Sequence, residues 1–316
     1  MLRILVKILK FSILKLSNKP IFMSNIVKKY LRVLEVISSL NCESNLKSGV
    51  GRKQKMSDLE VVALSLTAEF MSIDSENSLF KEISNQQILN LIERSQFNKR
   101  RRKLFFLLEE VRLKLASYFL EFEDYFIVDS MPLEICKFSR HNRIKICKEE
   151  FETAPSKGFC ASQNNWFFGY KLHGVCSING IFHSLDITKA EVHDVQFLKN
   201  IKQQMSDCVL LGDRGYLSES IQLDLFQTAN IKLETPKRAN QKQYKPQPYI
   251  FRKSRKRIET LFSQLCDQFR IRNNYAKTFQ GFKTRILAKI TALTLVQYIN
   301  KFIFDRPINN IKNQTI

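Results

Sequence analysis

The stretch Tyr125-Phe126-Ile127-Val128-Asp129-Ser130 decides how this chain is read. Four apolar residues, aromatic and β-branched, run into a single carboxylate. So short a run, following a long helical pattern, reads as a buried central strand. A buried strand has no use for an unpaired carboxylate, which is costly away from water. At the end of such a strand, facing the rim of a sheet, Asp129 is a natural metal ligand. The residues that could join it are sought outward from there.

Toward the C-terminus, Phe168 to Val175 and Ile181 to Ile187 read as strands joined by a tight Asn179-Gly180 turn. The polar stretch between Pro132 and Trp166 reads as an insertion or loop near the site. Val195, Leu198, Ile201 and Met205 keep helical spacing, with Asp194 placed to cap that helix. Cys208-Val209-Leu210-Leu211-Gly212-Asp213 repeats the opening pattern, a short apolar run ending in one Asp. Gly212 and Gly215 around it permit a sharp turn. Ile231 to Pro236 is a further strand. Between Pro236 and Ile258 there are nine basic residues and no acidic one. That arm runs into an amphipathic helix with Ile258, Leu261, Phe262, Leu265 and Phe269 on one face and Glu259 beside it. A last helix covers Ile286 to Phe302, and residues after about Asp305 read as frayed.

Toward the N-terminus, residues 23–120 read as a small all-α region. Ile26, Tyr30, Val33, Leu34 and Ile37 recur at helical spacing. Ser57-Asp58-Leu59-Glu60 forms a capping box, and another helix holds Leu104 to Leu120. Lys99-Arg100-Arg101-Arg102-Lys103 has no acid within the run. At a helix start the macrodipole disfavours cations, so contact with phosphates explains it better than a solvated face. Residues 1–22 are Leu/Ile-rich with interspersed Lys and Arg. They form a basic amphipathic helix or, as we expect, a spurious extension preceding a start at Met23. No stable membrane association is expected of them.

The totals agree with a polyanion partner. Of 316 residues, 51 are Lys or Arg and 30 are Asp or Glu, a formal charge of +21. That excess points to nucleic acid. A hydrophobic share of 44% excludes wholesale disorder. Seven cysteines, an odd number without a C-x-x-C pair, argue against a disulfide framework or zinc ribbon and for reduced thiols in the cytoplasm.

Hairpin, helix, strand and closing helix make a mixed α/β sheet, and ligands in such sheets sit off the strand ends. Asp129, Asp213 and Glu259 converging there would hold hard divalent cations through oxygen. Each residue also has an ordinary reading: a strand-end turn for Asp129, an Asp-x-Gly turn for Asp213, an exposed helix carboxylate for Glu259. Asp186 and Asp194 compete for the second position. A non-catalytic DNA-binding protein is the alternative of another class, and a structure-specific nuclease the rival enzyme.

From about Gly51 to Phe302 the chain resembles the DDE transposases of bacterial insertion sequences, most closely insertion-sequence group 982. The resemblance is carried by Val128-Asp129-Ser130, Gly169-Tyr170-Lys171-Leu172-His173, His193-Asp194, Leu211-Gly212-Asp213-Arg214-Gly215-Tyr216 and Arg257-Ile258-Glu259-Thr260-Leu261-Phe262-Ser263-Gln264-Leu265. Gly51-Arg52-Lys53 and Leu59-Glu60-Val61 extend it upstream. It implies a ribonuclease-H-like mixed sheet flanked by helices over residues 121–304, a DNA-end-binding helical region over 23–120, and a flexible tail over 305–316. It further implies that Asp129, Asp213 and Glu259 are a triad for Mg²⁺, with Mn²⁺ able to substitute. The double-stranded DNA partners would be the terminal inverted repeats and the target, gripped by a homo-oligomer. Related transposases often carry Tyr, Arg, Glu and Lys on and before the last helix. Here Arg255 keeps the Arg, while Arg252 and Cys266 stand at the Tyr and Lys positions. The expected phosphate contacts are Lys99, Arg100, Arg101, Arg102, Lys103, Lys171, Arg214, Arg252, Arg255 and Arg257.

Overall fold

β1 (Tyr125–Cys136) is the spine of the molecule. The apolar run is its first half, and the strand continues well past Asp129. In this computed structural model, which describes residues 25–42, 54–83, 88, 90–121, 123–236, 246 and 248–312, β1 lies at the centre of a six-stranded mixed sheet. The readings of residues 1–22, Met23, Gly51-Arg52-Lys53, Lys237, Arg238, Lys242 and Lys245 fall outside the described residues.

β3 (Asn165–Ser177) pairs with β1 antiparallel, and β4 (Phe182–Lys189) pairs with β3 antiparallel. On the other side β5 (Cys208–Leu211) pairs with β1 in parallel, and β6 (Ile231–Glu234) pairs with β5 in parallel. This is a ribonuclease-H-like sheet. The stretch expected to be a loop contributes one more strand, β2 (Ser156–Cys160), along the first part of β3. The Asn179-Gly180 hairpin forms, with Gly180 at φ 91°, a conformation that costs a side-chain-bearing residue.

Alternation along β1 sorts its side chains between two cores. Phe126 and Val128 pack with Leu210, Phe197, Tyr216 and Leu225 on one face. Ile127, Met131 and Leu133 pack with Leu172, Leu211, Leu261 and Leu265 on the other. Helices before the sheet are α1 (Asn25–Ser39), α2 (Asp58–Phe70), α3 (Glu76–Ile83), α4 (Arg94–Lys103) and α5 (Phe105–Leu120). Later come the single-turn α6 (Leu198–Ile201), α7 (Glu219–Ala229), α8 (Tyr249–Asp267) and α9 (Phe279–Tyr298). The capping box closes as read. Ser57 accepts from the Glu60 amide at 3.2 Å, and the Glu60 carboxylate accepts from the Ser57 amide at 2.5 Å.

α9 joins the halves of the chain. Phe279–Ile303 is long and apolar enough to cross a membrane by composition, yet it packs as a core helix, against α2 and α5. Its buried Thr284, Thr291 and Thr294 donate to the carbonyls of Gln280, Leu287 and Ile290 one turn back, so their hydroxyls are satisfied inside the helix. Lys289, fully buried, meets Glu69 of α2 at 2.7 Å, and Arg285 and Arg101 approach the same carboxylate. One apolar core therefore runs from α1 through α9 to the sheet. The expected fraying after Asp305 does not extend to Asn309 and Ile311, and residues 313–316 lie outside the described residues. Asn309 donates to the Asn179 carbonyl at 3.0 Å, and Ile311 is buried, so residues 305–312 fold back on the hairpin.

Candidate active site

β5 and β1 run in parallel with Ile127 opposite Leu211. Continuing that register by two residues brings Asp129 level with Asp213. Both have the parity of Ile127 and Leu211, whose side chains enter the core on the α8 side. The expected strand end is corrected here: Asp129 lies within β1, at the point where the strand loses its β5 neighbour and keeps β3, opposite Gly174. That opening beside the strand gives its carboxylate room.

α8 supplies the third carboxylate. Ile258, Leu261, Phe262 and Leu265 are buried and fix the helix against the sheet, with the Phe262 and Phe182 rings stacked at 6.2 Å. Glu259, next to Ile258, remains exposed. Asp213, Arg255 and Glu259 all act on the charge of Asp129, so residues from β1, the β5 loop and α8 share one electrostatic neighbourhood. Burial is the largest influence, and it lifts the Asp129 carboxyl from 3.8 to about 7. Asp213 and Glu259 add to that rise, while the Ser130 amide, donating at 2.8 Å, and Arg255 oppose it.

Gly212 and Gly215 serve by lacking a side chain, since neither has positive φ. A Cβ on Gly212 would come within 3.3 Å of Val128 and Tyr216, so bare backbone lets the loop close onto β1. A Cβ on Gly215 would lie 3.0 Å from the Asp213 carboxylate, which accepts from the Gly215 amide at 2.7 Å. The same Cβ would lie 3.8 Å from an oxygen of Asp194, so a fourth carboxylate borders the site. Asp194 does not cap a helix as expected. His193 holds the cap position of the turn Asp194–Phe197 without a side-chain bond. Asp194 instead accepts from Lys171 at 3.0 Å. Tyr216, fully buried beneath these groups, feels Asp129, Asp194 and Asp213, and its phenol is held well above its usual range, by burial first. In the sequence Asp194 stands only as a rival for the second position and Tyr216 only as part of a motif. Their placement depends on loop closure, which spacing does not encode.

The expected phosphate contacts separate into groups. Arg255 faces Asp129, and Arg214 and Arg252 are exposed. Lys171 is engaged by Asp194 and by the Val192 carbonyl at 2.9 Å, because burial makes a lone ammonium costly. Arg257 packs its methylenes over Gly180 at the hairpin. In the basic run the helix ends rather than begins, so the cations favour the macrodipole. Arg101 is buried on Glu76 at 2.7 Å, and Arg100 binds Asp58 at 2.5 Å and the Met56 carbonyl at 2.7 Å. These two hold the fold together. Lys99 and Lys103 are exposed and Arg102 is half-buried.

Asp129, Asp213 and Glu259 offer only oxygen, the donor chemistry a hard divalent cation takes. A buried carboxyl held near neutrality beside two others is a site that a cation would relieve. Among the described residues, no three His, Cys, Asp or Glu side chains close into a metal cage. Mg²⁺ does not require one, because it keeps waters and substrate phosphates in its shell. In donor chemistry the residues fit.

The sheet carries carboxylates on its central strand, on the adjoining strand's loop and on a covering helix. The chain belongs to the transposase DDE domain family, whose model matches residues 121–295. No curated protein matches the chain. One solved structure, "Mos1 transposase paired-end complex with left transposon end", aligns over 90% of this chain and 91% of its own at 12% identity. Its TM-score is 0.21, a likeness too slight to bear on fold or activity.

Proposed function

We propose that this protein is the DNA transposase of a bacterial insertion sequence of group 982, cutting the element's ends and joining their 3′-hydroxyls to target DNA. The observation that carries this reading is the shared neighbourhood of Asp129, Asp213, Arg255 and Glu259, drawn from three separate elements within a chain of charge +21. Asp129, Asp213 and Glu259 would hold Mg²⁺, or Mn²⁺ in its place. Divalent cations bound there supply Lewis-acid activation of the attacking oxygen and charge stabilisation of the leaving one.

The chain's own groups do the rest. Asp129, on the central strand, feels the charge of both Asp213 and Glu259. Arg255, one turn before Glu259, is placed to hold a non-bridging oxygen of the scissile phosphate. Arg214 and Arg252, exposed near the same rim, would grip the flanking phosphates. Water is the first nucleophile and the freed 3′-hydroxyl the second. Joining two ends calls for at least two copies of the chain on DNA, and the cytoplasm is where such an element would be served.

The test is a gel assay with the element's flanking DNA ends. Wild-type protein should nick and join them with Mg²⁺ or Mn²⁺, and neither EDTA-treated protein nor the Glu259→Gln variant should. Cutting by Asp129→Asn at the wild-type rate would overturn the reading. Cutting without joining would recast the protein as a nuclease, and end binding without either as a repurposed DNA-binding derivative.

A further inference from the structure

The basic run leaves one feature unexplained. Helical spacing turns Lys99, Arg102 and Lys103 to one side of α4 while Arg100 and Arg101 turn inward. Those three, together with Arg100, line a groove of about 550 Å³ whose other walls are Phe105, Phe106, Gln96 and Gln280. Among the described residues, none of the three cations forms an ion pair with a carboxylate. Lys283 of α9 adds a fourth cation, 4.9 Å from the Phe105 ring centre. Beside them Phe106 stands 81% exposed, edge-on to Phe105 at 5.7 Å. Folding buries most Phe rings, and this one has been left in water at the rim of a cationic groove.

Cations alone fit any phosphate backbone. An exposed ring among them fits something narrower. Within duplex DNA both faces of a base are covered by its neighbours, so away from the ends Phe106 would find no free face there. An unpaired base offers one, and stacking on an aromatic is tolerant of sequence. Lys99, Arg102 and Lys103 lie within one helical turn, a spacing on the scale of successive phosphates of one strand. Gln96 and Gln280 add amides that can bond a base edge. We infer that the groove between α4, α5 and α9 binds single-stranded DNA, an overhang or frayed end, with Phe106 as its stacking platform. This rests on the transposase reading and extends it, since cleaved ends are where unpaired nucleotides arise.

The experiment uses the full chain and three labelled DNAs: a blunt duplex, the same duplex with a short single-stranded overhang, and the overhang strand alone. Binding is followed by anisotropy, with 2-aminopurine in the overhang as a stacking reporter. Phe106→Ala should weaken overhang and single-strand binding about tenfold and leave the blunt duplex within about twofold. It should also abolish the 2-aminopurine quenching, which Phe106→Tyr should restore. The double variant Lys99→Gln/Lys103→Gln should weaken all three DNAs and lower the salt slope by about two. Equal loss on blunt duplex and overhang in Phe106→Ala, or unchanged quenching, would overturn the inference. So would competition by poly-glutamate as effective as by the single strand. Phe106 is exposed, so an unchanged melting temperature shows that Phe106→Ala still folds. The two readings fail separately. Phe106-dependent overhang binding without metal-dependent cutting would sink the transposase reading alone, and cutting without it would sink the groove alone.

Discussion

Two clusters of charge are set into this molecule, and they resolve in opposite ways. Around Glu69, three cations from α4 and α9 (Arg101, Arg285 and Lys289) close on one buried carboxylate, with Glu76 as a second partner for Arg101. Opposite charges meet there and offset one another. Around Asp129 the balance runs the other way. Asp213, Glu259 and Asp194 crowd the neighbourhood, and Arg255 and the engaged Lys171 do not offset them. The first cluster is a joint between helices. The second is unfinished as protein alone, since burial holds Asp129 half-protonated near neutral pH. A strongly basic chain that keeps a local excess of acid at one sheet opening makes that opening its candidate site.

The sharpest break in the comparison comes from neutralising each centre. Asp129→Asn should lower the cutting of DNA ends by about a thousandfold or more, on the scale of losing a transition-state contact. Glu69→Ala should act on stability, leaving Lys289 and its neighbours buried without a counter-charge. A cost of about 3–5 kcal/mol is expected in urea unfolding. A cost below about 1 kcal/mol would mean that the joint is not held by charge, and the contrast would collapse.

A smaller effect has the opposite sign. A carboxyl whose folded value lies above its ordinary 3.8 favours the folded state least when ionised. The wild-type protein, without divalent metal, should therefore lose stability relative to Asp129→Asn as pH rises from about 4 to about 7. Above that the loss should stay constant, at about 4 kcal/mol. Thermal melts across that range measure it. If the Asp129→Asn variant is the less stable at every pH, Asp129 has a stabilising partner and the site is not unfinished. Adding Mg²⁺ or Mn²⁺ should raise the wild-type melting temperature and leave that of the variant unmoved.

Much of this was legible in the sequence because it is periodic or local. The buried run of β1, the Ser57 capping box, the Asn179-Gly180 hairpin and the amphipathic face of α8 all follow from spacing that backbone geometry imposes. The three carboxylates were legible as candidates, but their meeting was not. It depends on the Ile127–Leu211 register and on the docking of α8, neither of which is local. The ion pairs of the basic run were not legible for the same reason. Arg100 and Arg101 have partners in Asp58, Glu69 and Glu76, tens of residues away in the chain. β2 escaped because Ser156-Lys157-Gly158-Phe159-Cys160 lacks a β-branched residue and becomes a strand only by pairing with β3.

The least effect, and the most discriminating for the acidic side, belongs to Lys171. Its ammonium lies on Asp194, whose carboxylate reaches the Asp213 loop. Lys171→Gln removes one positive charge and frees one negative one beside the site. Folding stability should fall by about 1 kcal/mol or less, as for a partly exposed pair. Apparent affinity for Mn²⁺, followed by calorimetry, should rise about threefold to tenfold through the added field. The Lys171→Gln/Asp194→Asn double variant should return to the wild-type value. If Lys171→Gln leaves Mn²⁺ affinity unchanged, Asp194 lies outside the field of the site and the excess of acid is that of three carboxylates, not four.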